Sequence, residues 1–99
     1  MTVDQAERHF VDEVASRHVH VTRRSDTTLT FGGTPVEKFM ADVLLEDRLM
    51  VEFKRLPAIT SEHLYRFARF LETSHLREGF IVNVSSSGLD CRYMCLSEN

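Results

Sequence analysis

The 99-residue sequence holds two prolines, four glycines, two cysteines and no tryptophan, and none of its apolar runs approaches the ~20 residues of a membrane span. Each shortage excludes a class. Scarce Pro and Gly without low-complexity tracts exclude a linker or disordered tail, and two cysteines exclude a disulfide scaffold. The N-terminus lacks the basic-then-apolar plan of a signal peptide, so a cytoplasmic location is expected. Cys91 and Cys95 have no second Cys or His pair at zinc spacing, and read as reduced thiols on a late strand. Charge of one sign is also in short supply. A net charge of -3 argues against a protein that coats nucleic acid through many phosphate contacts, yet a local group of arginines beside an acidic site remains compatible with it.

What is present is one ordinary globular composition, 42% hydrophobic and 27% charged, which predicts a single domain over residues 1–99. A chain this short exposes much of its surface, so a homodimer would add stability. Val3, Ala6, Phe10, Val11 and Val14 recur at helical spacing and predict a helix over Val3 to His18, begun by Thr2 or Asp4. Val19 to Arg24 and Thr27 to Phe31 read as one bent strand or a hairpin, and Gly32-Gly33 as a turn. Strands are expected at Lys38 to Leu45 and Leu49 to Arg55, then a helix capped by Thr60 or Ser61 and running to about His75. Gly79 to Val84 reads as a buried strand parallel to its predecessor, and Cys91 to Leu96 as an edge strand. The class is α/β with a mixed sheet.

Register points to chemistry. Positions 41, 43 and 45 and positions 49, 51 and 53 are all apolar, so both sets should face one core. That requires Leu45 to pair with Leu49 across Glu46-Asp47-Arg48, because a one-residue slip would turn one set outward. The same register sets Asp42 opposite Glu52, with Lys54 next on that face. Opposed carboxylates about 5 Å apart at Cβ suit a hard cation such as Mg²⁺ or Mn²⁺, completed by a main-chain carbonyl, that of Phe53, and a phosphate. Lys54 could orient or activate water. The alternative is a plain cross-strand salt bridge among exposed residues. Glu13, at the border of the first helix's apolar stripe, is a further candidate carboxylate or an ion-pair partner of Arg17 or Arg24.

Residues 41–84 resemble the core of the PD-(D/E)XK nuclease superfamily, most closely its GxxExxY branch, through Asp42, Glu52, Lys54, Phe70-Leu71, Gly79 and Asn83. Upstream, EVASRHVHV is similar to the family's first helix end, with Glu13 at its acidic position. The Gly-x-x-Glu-x-x-Tyr segment is missing, Ala41 stands where Pro is common, and Arg66 where Gln is common. The resemblance implies a restriction-endonuclease-like αβββαβ core with a mixed sheet flanked by helices. It also implies Mg²⁺-dependent cleavage of phosphodiester bonds, with DNA as the expected substrate and Asp42, Glu52, Lys54 and Glu13 as the catalytic set. A catalytically silent interaction domain on the same fold is the rival.

Arg66, Arg24 and Arg55 are the cations expected on nucleic-acid phosphates. His63, Arg66, Phe70 and Arg77 read as one strip of the second helix, either facing nucleic acid or forming a solvated face with a dimer contact at Phe70. The five histidines form no helical metal pair, and no phosphate-cradling glycine loop or Ser-His-Asp arrangement can be assembled.

Overall fold

A computed structural model describes residues 1–31 and 34–96, with side-chain surroundings for residues 1–23 and 42–96. The Gly32-Gly33 turn and the side chains of Arg24, Lys38 and Ala41 lie outside the described residues. Helix α1 (Val3–Ala15) precedes strands β1 (Val21–Phe31), β2 (Thr34–Leu45) and β3 (Leu49–Lys54). Helix α2 (Ser61–Thr73) follows, then β4 (Glu78–Ser85) and β5 (Gly88–Cys95). The strands form one sheet in the order β1-β2-β3-β4-β5. Only β3 and β4, joined through α2, are parallel; the other neighbours are antiparallel. This is the expected mixed α/β sheet. Val21–Phe31 is a single strand, shifted in register between Leu29 and Thr30, and not a hairpin.

Both helices begin where the sequence supplies a cap. Thr2 Oγ1 accepts from the Gln5 N–H, and the Gln5 side chain accepts from the Thr2 N–H, a reciprocal pair that satisfies two otherwise orphaned donors. Thr60 and His63 repeat the device on α2, where His63 Nδ1 accepts from the Thr60 N–H at 3.0 Å. Both helices end short of the expected boundary for one reason. His18 (φ 65) and His75 (φ 59) take left-handed backbone, so the Val19 N–H reaches the Val14 carbonyl and the Leu76 N–H reaches the Leu71 carbonyl. α1 therefore stops at Ala15 and α2 at Thr73.

Strand alternation divides the apolar residues between the two faces. Val43, Leu45, Val51, Phe53, Val82 and Val84 bury against Ala6 of α1, with Val3, Phe10, Val11 and Val14 packed around them. Met50 and Ile81 point the other way, onto Phe67, Phe70 and Leu71 of α2. Each such side chain contributes roughly 1.5–3 kcal/mol on burial. Gly79 allows the second contact: a Cβ there would lie 2.6 Å from the Met50 carbonyl oxygen and 2.7 Å from Phe67 Cζ. Among the described residues no helix is long and apolar enough to cross a membrane.

Candidate functional site

The register that carries the site is the one its apolar alternation requires. Leu45 pairs with Leu49, Leu44 with Met50 and Val43 with Val51. Glu46 and Asp47 occupy left-handed backbone, φ 53 and 54, and the Arg48 N–H closes the turn on the Leu45 carbonyl at 2.9 Å. This mirror-image turn matches the twist of the strands it joins. Beyond Val43 the ladder is replaced by a side chain: the Phe53 N–H donates to Asp42 Oδ2 at 2.8 Å. Asp42 is thus clamped to the backbone of the strand that carries Glu52. The Phe53 ring points to the α1 face and meets Phe10 edge-on, with centroids 5.7 Å apart.

Glu52 and Lys54 alternate with Val51 and Phe53, so they share the α2 face with Met50. Glu52 is 8% exposed, and Lys54 Nζ lies 3.6 Å from its Oε2. Burial pushes the Glu52 carboxyl above its ordinary range, Lys54 pulls it back, Asp42 pushes it up again, and Arg66 opposes with a smaller effect. The site is therefore a half-buried acidic pair held near two cations, not a set of fully solvated residues. Asn83, beside Lys54 on β4, is 3% exposed and braces the loop that follows β3. Its Oδ1 accepts from the Leu56 N–H at 2.8 Å, and its Nδ2 donates to the Leu56 carbonyl at 3.0 Å.

Glu13 is not brought to this pair. It sits on α1, across the sheet from Glu52, with its side chain 65% exposed and 2.8 Å from Arg17. Its sequence position at the border of the stripe favoured the local i, i+4 pair. The buried acid of α1 is Glu7, 2% exposed, with Arg23 at 3.3 Å on the same face. A signal for it existed: Glu7 falls four residues from both Val3 and Val11, in the apolar stripe. The proposed strip on α2 is corrected in three places. Phe70 is 2% exposed and belongs to the core, so it offers no dimer contact; His63 caps the helix; and Arg77 lies beyond its end. Arg66 stays exposed and acts electrostatically on Glu52. Arg55 is exposed at the end of β3, beside a polar hollow lined by Asn83 and Ser85 to Ser87.

Among the described residues, no three His, Cys, Asp or Glu side chains form a metal-ligating cluster. Asp42 and Glu52 nevertheless suit a hard divalent cation. Two oxygen donors are gathered where burial and mutual repulsion raise a carboxyl, and such ions are often held by one or two carboxylates with water and substrate phosphate.

A family model described as the PD-(D/E)XK nuclease superfamily matches residues 6–92, most of the chain. The chain belongs to that superfamily. Nucleases of this superfamily generally use divalent metal ions. Among solved structures, the crystal structure of SSO0001 is similar at TM-score 0.69 and 13% identity, over 97% of this chain and 50% of that one. An alkaline exonuclease from Laribacter hongkongensis is similar at TM-score 0.53 and 13% identity, over 95% of this chain and 56% of that one. This superfamily member thus spans about half the length of the solved structures it matches. No curated protein matches it. At 13% identity these likenesses show the shared restriction-endonuclease-like fold.

Proposed function

We propose that this domain is a divalent-metal-dependent phosphodiesterase acting on DNA, of the GxxExxY branch, with Asp42, Glu52 and Lys54 as its catalytic residues. The observation that carries the reading is Glu52: a carboxylate buried against a second carboxylate, raised by that burial, and within reach of an amine. Asp42 and Glu52, with the Phe53 carbonyl, would hold Mg²⁺ or Mn²⁺. The bound ion would polarise the phosphoryl oxygen and lower the pKa of a coordinated water. In support of this reading, the Phe53 N–H ties the Asp42 carboxylate to the backbone of β3, the strand that carries Glu52. Lys54 orients the attacking water and offsets charge developing on the phosphate, in a site where burial strengthens electrostatic effects. Arg66, Arg55 and Arg24 would position the flanking phosphates, contacts that fix register without reading sequence.

A second reading is supported by the Glu52–Lys54 ion pair at 3.6 Å and by the lack of a third ligating side chain among the described residues. It is a catalytically silent domain that keeps the fold and acts through a partner surface. Cleavage of duplex and single-stranded DNA in Mg²⁺ or Mn²⁺ separates the two. The proposal expects cutting that is lost in Lys54→Ala while Mn²⁺ binding persists; no cutting of either substrate by a metal-binding wild type supports the silent domain.

A further inference from the structure

Among the described residues β5 is the last strand of the sheet, paired to β4 on one side only. An edge strand of eight residues presents unpaired backbone groups and is usually blunted by charge, a bulge or a covering element. Here it carries Leu89 and Tyr93 at 58% and 55% exposure, on the same face as Cys91. Pairing with β4 settles that face: Cys91 lies opposite Val82 and Tyr93 opposite Phe80, whose ring it meets at 5.1 Å. Both β4 residues pack in the α1 core, and Leu89 and Cys91 extend an apolar groove of ≈ 730 Å³ between α1 and strands β2 to β5. The even positions Asp90 and Arg92 face the other way, half exposed, 3.4 Å apart.

The sequence of this edge is complementary to itself. If two copies align β5 antiparallel about a two-fold axis at Cys91, Leu89 of each copy opposes Tyr93 of the other on the apolar face. Asp90 of each then opposes Arg92 of the other on the polar face. Cys91 meets Cys91 at the centre. Shifting either strand by one residue would set the apolar face of one copy beside the charged face of the other, and shifting by two would set Asp90 or Arg92 against its own copy, so alternation and charge together select this register. A two-fold normal to the sheet keeps each face continuous, and the two apolar grooves become neighbours.

We propose that the outer edge of β5 is a homodimer interface, joining two copies into one continuous sheet through antiparallel pairing centred on Cys91. The occupant is a second copy because both faces of the strand find their complements in the strand itself. The proposal is independent of the nuclease reading.

Sedimentation equilibrium is the test. The expected mass for the wild type is twice the 11.5 kDa of the chain. Asp90→Arg alone, or Arg92→Asp alone, places like charges opposite each other twice and weakens the dimer roughly tenfold; the double variant Asp90→Arg with Arg92→Asp restores it. Leu89→Lys, at an exposed position compatible with folding, gives a monomer of unchanged circular dichroism. A short bismaleimide joins the copies through Cys91: Cys91→Ser abolishes the product and Cys95→Ser retains it. A wild type that stays monomeric up to hundreds of micromolar, a dimer indifferent to the single charge reversals, or one not recovered by the double variant overturns the proposal.

Discussion

The two faces of this sheet use the same strands for different ends. Towards α1, β2 and β3 present Val43, Leu45, Val51 and Phe53 in an unbroken apolar layer. Towards α2 the layer is divided: Met50 and Ile81 are sealed by Phe67, Phe70 and Leu71, whereas Asp42, Glu52, Lys54 and Asn83 fill the other end. A strand that alternates perfectly on one face can place chemistry on the other without losing its register. Stability and site are thus separable by parity, and substitutions one residue apart should have different consequences.

The largest effects are expected from the smallest step along β3. Glu52→Ala is expected to reduce metal-dependent cleavage by about a hundredfold or more, the scale on which removal of an electrostatic stabiliser is felt, while the fold survives. Its neighbour Phe53→Ala is expected to lower stability by about 3–5 kcal/mol in urea titration, because it empties the α1 core and removes the Phe10 contact. If Phe53→Ala left stability untouched, the division by faces would be broken.

Glu52 also gives a pH signature. Its folded-state pKa is raised, so its contribution to stability is fully present below its unfolded value and is lost as pH rises through the folded value. Above that folded value the ionised carboxylate is a cost. Glu52→Gln is therefore expected to raise Tm at pH 7 without metal, the gain shrinking as pH falls through the folded pKa of Glu52. An unchanged or lowered Tm at pH 7 would contradict the burial that sets the site.

How much of this was legible in the sequence depends on the kind of signal. The hairpin register was legible to the residue, because only the Leu45–Leu49 pairing lets both apolar sets share a core. The capped starts of both helices were legible from Thr2 and Thr60, but their ends were not. His18 and His75 take left-handed backbone without being glycine, and nothing in a histidine announces that. Substitution of His75 by Gly is accordingly expected to stabilise the protein by about 1 kcal/mol in thermal unfolding, by relieving that strain. On α1 the apolar stripe is legible from its spacing, whereas the burial of the charged residue within it is not. Glu7 is buried against Arg23, whereas Glu13, on the stripe's border, turned to Arg17. Phe70 shows the same limit from the other side: aromatic residues on a short helix read as surface or core alike until the sheet beneath them is placed.

The smallest expected effect sharpens the comparison most cheaply. Glu13→Ala removes an exposed i, i+4 pair on α1, across the sheet from Glu52, so stability should fall by only about 0.3–0.5 kcal/mol and metal-dependent cleavage should be unchanged. Loss of cleavage in that variant would return Glu13 to the site and show that the two faces cooperate.

The measurement that bears most directly on the acidic pair is a Mn²⁺ titration followed by Tm, on the wild type and on Asp42→Asn and Glu52→Gln. A cation that binds the native state raises its stability, by about 2.7 kcal/mol at a hundredfold excess over Kd. The expected result is a saturable rise in the wild type that is lost in both variants. A wild-type Tm indifferent to Mn²⁺, or a rise that persists in both variants, would contradict a metal site at Asp42 and Glu52.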